Sequence, residues 1–346
     1  MRPSRGLHLD YVSPGEFQTA GWPDVLGVAA FNGAAAAPPA PGAGEIPVAR
    51  VHMPMLSAGP GLYEVWRCGE AAASGQRHRV RFRCTENMLF GCISVSEATA
   101  RGATDAAHSP LHQATSQAYR EICATIDTEN YPHLLRIWNY LPDINRASHG
   151  SERYRQFNSA RQQALRDSGR ALSGNVPAAS ALGAAPDSPL LVYFLAGRTP
   201  PTFVENPRQV SAYHYPPQYG AHSPVFSRAT LLRQPGSVTL FISGTASIVG
   251  HRSLHVGDTA AQTRETLANI EALLAEANRA APEARFTPGA LACKVYVRRP
   301  ADLPIIRREL TAKLGAQARV VYLQADICRQ DLLVEIEATA TGPLAS

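Results

Sequence analysis

The stretch LVEIEATA, Leu333–Ala340, alternates two carboxylates with aliphatic side chains. Glu335 and Glu337 fall on one face and Val334, Ile336 and Ala338 on the other, which is the period-two pattern of a strand. Working back from it, Val238–Ser243 reads as a strand followed by Gly244. Thr259–Arg279 reads as a helix with Leu267, Ile270, Leu274 and Ala277 on one face. Leu291–Val297 is a strand, Asp302–Leu314 a helix and Arg319–Leu323 a strand. The order is β-α-β-α-β-β, so the expected class is α+β, with a mixed sheet covered by helices on one face.

The first half repeats that order. Met88–Ser96, Leu111–Ile126, Leu134–Leu141, Ser151–Arg170 and Leu190–Ala196 follow it loosely, the last standing for one of the two final strands, at an offset of about 150 residues for the first three. The match predicts an internal duplication. The expected division is an N-terminal extension over 1–45, which has no functional reading, a domain over 46–222 and a second over 223–346. Two Ala/Pro/Gly/Ser-rich stretches, 27–47 and 171–189, read as loops or partly disordered inserts. A Pro/Tyr-rich passage, 211–227, cannot be regular helix or central strand and is the expected bridge between the halves.

Bulk properties narrow the function. The chain has 346 residues, 45% hydrophobic and 18% charged, with a net charge of +5. That length accommodates two domains. No run of five basic residues occurs, so nucleic acid is not an expected partner, whereas a mild positive balance suits a small anionic substrate. The start lacks an apolar signal core, and the longest strongly apolar run, Leu190–Ala196, is too short to span a bilayer. The six Cys show no CxxC and no regular spacing, as in reduced cytosolic thiols, so the expected location is cytoplasmic with no membrane partner. The His pairs 108/112 and 251/255 come without HExxH, and neither a GxxxxGK[ST] loop nor a GxSxG elbow is present. No metal and no nucleotide cofactor are expected.

One helix breaks its own pattern. In SERYRQFNSARQQALRDSGR, 151–170, the side chains Tyr154, Phe157, Ala164 and Leu165 share a stripe, and Arg161 lies on it. A cation and a carboxylate on core-facing elements can form a pocket that holds an anion and moves a proton. They can equally form a buried structural ion pair.

The second half resembles the YjgF-like (Rid) family, whose fold is also described as chorismate mutase-like. The matching residues are SPVFSRA (223–229), VTLFISGTASI (238–248), VGDTAAQTRETLANIEALL (256–274), CKVYV (293–297) and LVEIEATA (333–340). The resemblance implies that Ser243, Gly244 and Glu335 line a pocket and that an Arg before the last strand pair, nearest Arg319, binds a carboxylate. With the first half included, the chain resembles the chorismatases, which fuse two such halves and cleave pyruvate from chorismate without a cofactor. RIWNYLPDIN (136–145), ERYRQFNSARQQAL (152–165) and NPRQVSAYHYPPQYG (206–220) carry that match.

The resemblance implies specific roles. The two carboxylates of chorismate call for Arg161, Arg228 and Arg319. Enol-ether cleavage begins with protonation of the terminal methylene, which needs a carboxyl kept neutral by burial. Glu335 is the candidate acid, and Glu337 on the same face is the alternative. Cys seven residues before that Glu, here Cys328, together with Gly at 244, marks the branch that forms 3-hydroxybenzoate. Cys328 can also be a small core filler. Tyr213, Tyr215 and Tyr219 in the bridge are candidate substrate contacts, or else a Tyr/Pro-packed loop. Because duplication can supply both sides of the pocket, a monomer is allowed. The rival readings are hydrolysis to a dihydroxycyclohexadiene acid, and a YjgF-like metabolite-binding or imine-deaminating protein.

Overall fold

A computed structural model describes residues 6–18, 23–31, 46–56, 61–97 and 105–344. The first four strands, β1 (His8–Val12), β2 (Val25–Phe31), β3 (Val48–Val51) and β4 (Leu62–Arg67), form one small sheet in the order β3-β2-β4-β1. The first large sheet contains β5 (Ala73–Arg77), β6 (Val80–Cys84), β7 (Met88–Val95), β8 (His133–Pro142), β9 (Ala178–Ala184) and β10 (Leu190–Gly197). Its order is β9-β8-β10-β7-β6-β5. Helices α1 (Pro110–Thr128) and α2 (Arg153–Asp167) cross over within it. The second large sheet contains β11 (Thr202–Val204), β12 (Ala229–Gln234), β13 (Ser237–Ala246), β14 (Ala292–Val297), β15 (Arg319–Gln324) and β16 (Val334–Pro343). Its order is β15-β14-β16-β13-β12-β11, with α3 (Thr259–Ala280) and α4 (Leu303–Leu314) as crossovers.

The two large sheets have one topology. In each, the parallel pair lies at the edge (β9 with β8, β15 with β14) and every other pairing is antiparallel. The α+β class and the internal duplication therefore hold. The small sheet shows the same inner pattern: β3 is parallel to β2, β2 antiparallel to β4, and β4 antiparallel to β1. It is a third, reduced copy. It draws strands from both sides of residue 45, and β11 joins the second sheet from before residue 223.

Local signals explain the helices. The Ser109 side chain caps the amide of His112 and Pro110 takes the first turn of α1, while Asp258 caps α3 through the Ala261 amide. Their apolar faces cover the outer side of each large sheet, around Ile122 and Phe157 on one and Leu267 and Leu310 on the other. The inner faces of all three sheets share a separate core that includes Trp66, Trp138, Tyr193 and Phe241. Among the described residues, no helix is long and apolar enough to cross a membrane.

Two expectations need correction. Ala178–Ala184, inside the stretch read as a loop or insert, is a buried edge strand paired with β8. Residues 27–31, inside the other stretch, belong to the fully buried β2, and 32–45 lie outside the described residues. Small side chains mimic linker composition, but here they allow a strand to approach its neighbours closely. The bridge 211–227 holds only two short 3₁₀ turns, as its prolines require.

Charge is buried where the three sheets converge. Lys294 on β14 is 3% exposed. Its Nζ lies 2.6 Å from Glu337 Oε1 on β16, 2.8 Å from Glu64 Oε2 on β4 and 2.8 Å from the Tyr193 hydroxyl on β10. Each of these three partners sits on the corresponding strand of its own sheet. Burial works against the ammonium, but the two carboxylates outweigh it and hold Lys294 above its ordinary range. Replacing Lys294 by Met should therefore destabilise the fold by about 3–5 kcal/mol, since it leaves the buried Glu64 carboxylate without a cation and Glu337 with Arg136 alone. Urea unfolding measures this, and a loss below about 1 kcal/mol would contradict a central role for the ion cluster.

Candidate active site

Strand β13 pairs Ala246 with Glu335 and Thr245 with Ile336, then shifts register before pairing Ile242 with Ala338. The bulge falls at Ser243–Gly244, where it turns the Gly244 amide and the Ser243 hydroxyl toward the other half. Those groups stitch the two halves together. The Ala179 amide donates to Ser243 Oγ at 2.9 Å, and the Gly244 amide donates to Ser180 Oγ at 3.0 Å. Ser243 Oγ in turn donates to the Ser227 carbonyl at 2.6 Å.

A cavity of about 640 Å³ opens at this seam. The bridge contributes Tyr215, Tyr219 and Arg228, and α2 contributes Tyr154 and Arg155. Cys328 and Arg329 come from the loop before β16. Behind it lies a void of about 30 Å³ between Arg161, Ser180, Gly244, Cys328 and Glu335.

Glu335 is 4% exposed. Burial, and then the negative charge of Glu337, push its carboxyl up to about 8, against the pull of Arg136 and Arg298. Gly244 makes room for it: a methyl carbon on Gly244 would lie 2.0 Å from Glu335 Oε1 and 2.9 Å from its Cδ. Glu337, two positions on, has the opposite fate. It accepts from Arg136 Nη2 at 2.8 Å, from Trp138 Nε1 at 2.7 Å and from Ser180 Oγ at 2.5 Å, besides its contact with Lys294. Burial alone would raise its pKa, but Lys294 and Arg136 outweigh burial and hold it below the usual value. One carboxyl of the pair is thus a proton reservoir and the other a fixed anion.

The remaining candidates divide. Arg161 is 2% exposed; its guanidinium sits over the Phe157 ring at 5.0 Å and donates to Asn158 Oδ1 at 3.0 Å, while its Nε is buried without a hydrogen-bond partner. Arg228 donates to the Val210 carbonyl at 2.7 Å and the Tyr215 hydroxyl at 2.8 Å, and its Nε also has no partner. Cys328 is a neutral thiol, pushed up to about 12 by burial and by Glu335. Tyr219 lies under the Arg329 guanidinium, 3.9 Å from ring centre to carbon, with its hydroxyl 3.3 Å from His251 Nδ1.

Two residues are elsewhere. Tyr213 packs against the helical core of the first half and meets the His214 ring edge-on, outside the cavity lining. Arg319 is exposed at the start of β15 and lines a different cleft, of about 560 Å³, with Asp10, Asp24 and Arg67. The site also contains residues that sequence reasoning passed over. Ser180 lay in a presumed loop, and Tyr154 was read only as part of a stripe. Arg329 directly follows Cys328, an adjacency that could have flagged it.

The arrangement offers a neutral buried acid, a thiol within the same void and guanidinium groups with unused donors. That set can bind an anion and protonate it.

Both the sequence and the fold have known relatives. The family model described as "Chorismatase FkbO/Hyg5-like, N-terminal" matches residues 64–196. A protein from Streptomyces hygroscopicus named chorismatase is 36% identical over 278 residues, which is 79% of this chain and 78% of that protein. Another from the same organism, named 3-hydroxybenzoate synthase, is 36% identical over 300 residues, covering 84% of each. A chorismatase from Streptomyces rapamycinicus is 39% identical over 282 residues, 79% of this chain and 80% of that one. A crystal structure of a chorismatase superimposes with a TM-score of 0.83 at 32% identity, covering 97% of this chain and 98% of the other. On sequence and fold together, the chain belongs to the chorismatase family.

Proposed function

We propose that this protein converts chorismate to 3-hydroxybenzoate and pyruvate, with Glu335 as the acid. The observation that carries the reading is the buried, unpaired carboxyl of Glu335 at the closed end of a cavity flanked by Arg161 and Arg228. Those guanidinium groups would hold the two substrate carboxylates. Glu335 gives its proton to the enolpyruvyl methylene, and the resulting carboxylate faces the oxocarbenium ion it has made. The ring C–O bond then breaks as the neighbouring ring hydroxyl oxygen attacks that carbon and loses its proton. Opening of the three-membered ring, with loss of the ring C–H proton and protonation of the oxygen, makes the ring aromatic. Substrate and products balance without water, metal or redox cofactor.

Cys328 and Gly244 support this internal route over hydrolysis. As a neutral thiol in the same void as Glu335, Cys328 can pass a proton during aromatisation. Gly244 leaves the Glu335 carboxyl where it lies, whereas Ala at that position would drive it aside. The relative named 3-hydroxybenzoate synthase is in keeping with this product. Three sheets closed within one chain support a monomer.

Chorismate incubated with the protein alone should yield pyruvate and 3-hydroxybenzoate by chromatography. A non-aromatic diol acid would move the assignment to hydrolysis, and no pyruvate would move it to imine or metabolite binding, checked with 2-aminoacrylate-type imines. Glu335→Gln should lower pyruvate release by about 10²–10⁴-fold. The active form is the protonated acid, so kcat/KM should be high below a pH of about 8 and fall as pH rises through it. A rate flat across that range would remove Glu335 from the role. The double variant Cys328→Ala, Gly244→Ala should shift product toward the diol acid, and an unchanged product ratio would clear both residues as determinants.

A further inference from the structure

Ser180 stands between the two glutamates. Its hydroxyl accepts from Arg136 Nη2 at 2.6 Å and from the Gly244 amide at 3.0 Å, and donates to Glu337 Oε2 at 2.5 Å. A serine hydroxyl has one hydrogen to give and two lone pairs to offer, and all three are in use. The bulge has taken the Gly244 amide out of the β13–β16 ladder, and its acceptor lies in the other half of the chain. Gly244 also packs on the Glu335 carboxyl so closely that no side chain fits between them.

The amide is therefore a donor placed beside the carboxyl but turned away from it. Backbone N–H groups that reach a carboxylate favour its ionised form. We propose that Ser180 is a positioning residue: by accepting the Gly244 hydrogen it withholds that donor from Glu335, so that the acid stays neutral. The same hydroxyl helps fix Glu337 as the anion, which keeps the proton on Glu335. The other groups facing Glu335 are Arg136 from β8, Arg298 beyond β14, Cys328 from the loop before β16, and Tyr154 and Arg161 from α2. Of these, Arg136 alone hydrogen-bonds the Ser180 hydroxyl, and its ion pair with Glu337 does not depend on that hydroxyl, so a shift in Glu335 reports on the serine contacts.

The proposal rests on Glu335 being the acid, and its test does not require turnover. Protein labelled with ¹³C at the glutamate side-chain carboxyls is titrated without substrate, and the Glu335 signal is assigned by its loss in Glu335→Gln. In Ser180→Ala the Glu335 midpoint should fall by about one pH unit or more. Ser180→Thr, which keeps the hydroxyl, should stay close to the parent protein. If Ser180→Ala does not fold, Ser180→Cys takes its place; its thiol is a poor acceptor of similar size, and the same fall is expected. Where turnover is measured, Ser180→Ala should lose about tenfold or more in kcat near neutral pH, with KM changed by no more than about twofold. A midpoint that stays put or rises overturns the proposal. A parent protein that releases no pyruvate ends the functional reading instead, and leaves the midpoint to decide the role of Ser180.

Discussion

Glu337 takes two buried cations, Lys294 and Arg136, and Glu335 takes neither of them. The site depends on that unequal sharing. Two carboxyls two residues apart on one strand face point the same way, and both are buried. In a medium of low polarity they cannot both ionise unless each has a counter-ion. The cations come from β8 in the first large sheet and β14 in the second, and both reach the position of Glu337. Glu335 is left with burial and a neighbouring anion, which together keep its proton on. The same ion cluster that joins three sheets therefore also decides which glutamate holds its proton more tightly.

Threefold repetition accounts for the location of the site. Glu64, Tyr193 and Glu337 occupy corresponding places on β4, β10 and β16, and all reach Lys294. Two positions before each of them stand Leu62, Leu191 and Glu335. Only the last is ionisable. The junction between the second large sheet and the small one is also differently filled. There the Leu56 amide donates to the Tyr322 carbonyl, and the Gln324 amide to the Pro54 carbonyl, so the segment 54–56 lies against β15. Where the two large halves meet, the Pro/Tyr bridge frames an open cavity instead. Repetition built equivalent seams, and side chains distinguish them: Asp10, Asp24, Arg67 and Arg319 line the cleft beside β15, and Glu335 lines the cavity between the large halves.

The strands and helices with strong periodicity were legible in the sequence, because apolar spacing reports directly on which face is covered. β16, β10, α1 and α3 lie within a few residues of the positions read from the pattern. β9 was not legible. Its residues AASALGA lack the branched and aromatic side chains that mark strands, and its pairing with β8 is set by tertiary contact. That loss hid Ser180. Arg161 was visible because a cation breaks an apolar stripe, whereas Arg329 sits in a loop with no periodicity to be broken and Arg155 on the exposed face of α2, where an Arg breaks nothing. Arg319 illustrates the converse limit: proximity to the last strand pair in sequence said nothing about which end of the sheet it occupies.

The composition of β9 is itself part of the site. At Ala179 and Ser180 a side chain much larger than serine or threonine would hold β9 away from the bulge of β13. The amide-to-hydroxyl stitches at 2.9 and 3.0 Å could not then form. Without them the Ala179 and Gly244 amides would be left unpaired in a buried seam, at a cost of about 1–3 kcal/mol each. Gly244 has the matching constraint from the other side, because any β-carbon there meets Glu335. Small residues on both halves thus allow two sheets to meet at backbone distance. Only at that distance can an amide of one half be held by a serine of the other while a carboxyl lies alongside, uncharged. The features that made 171–189 read as a linker are the ones the seam requires.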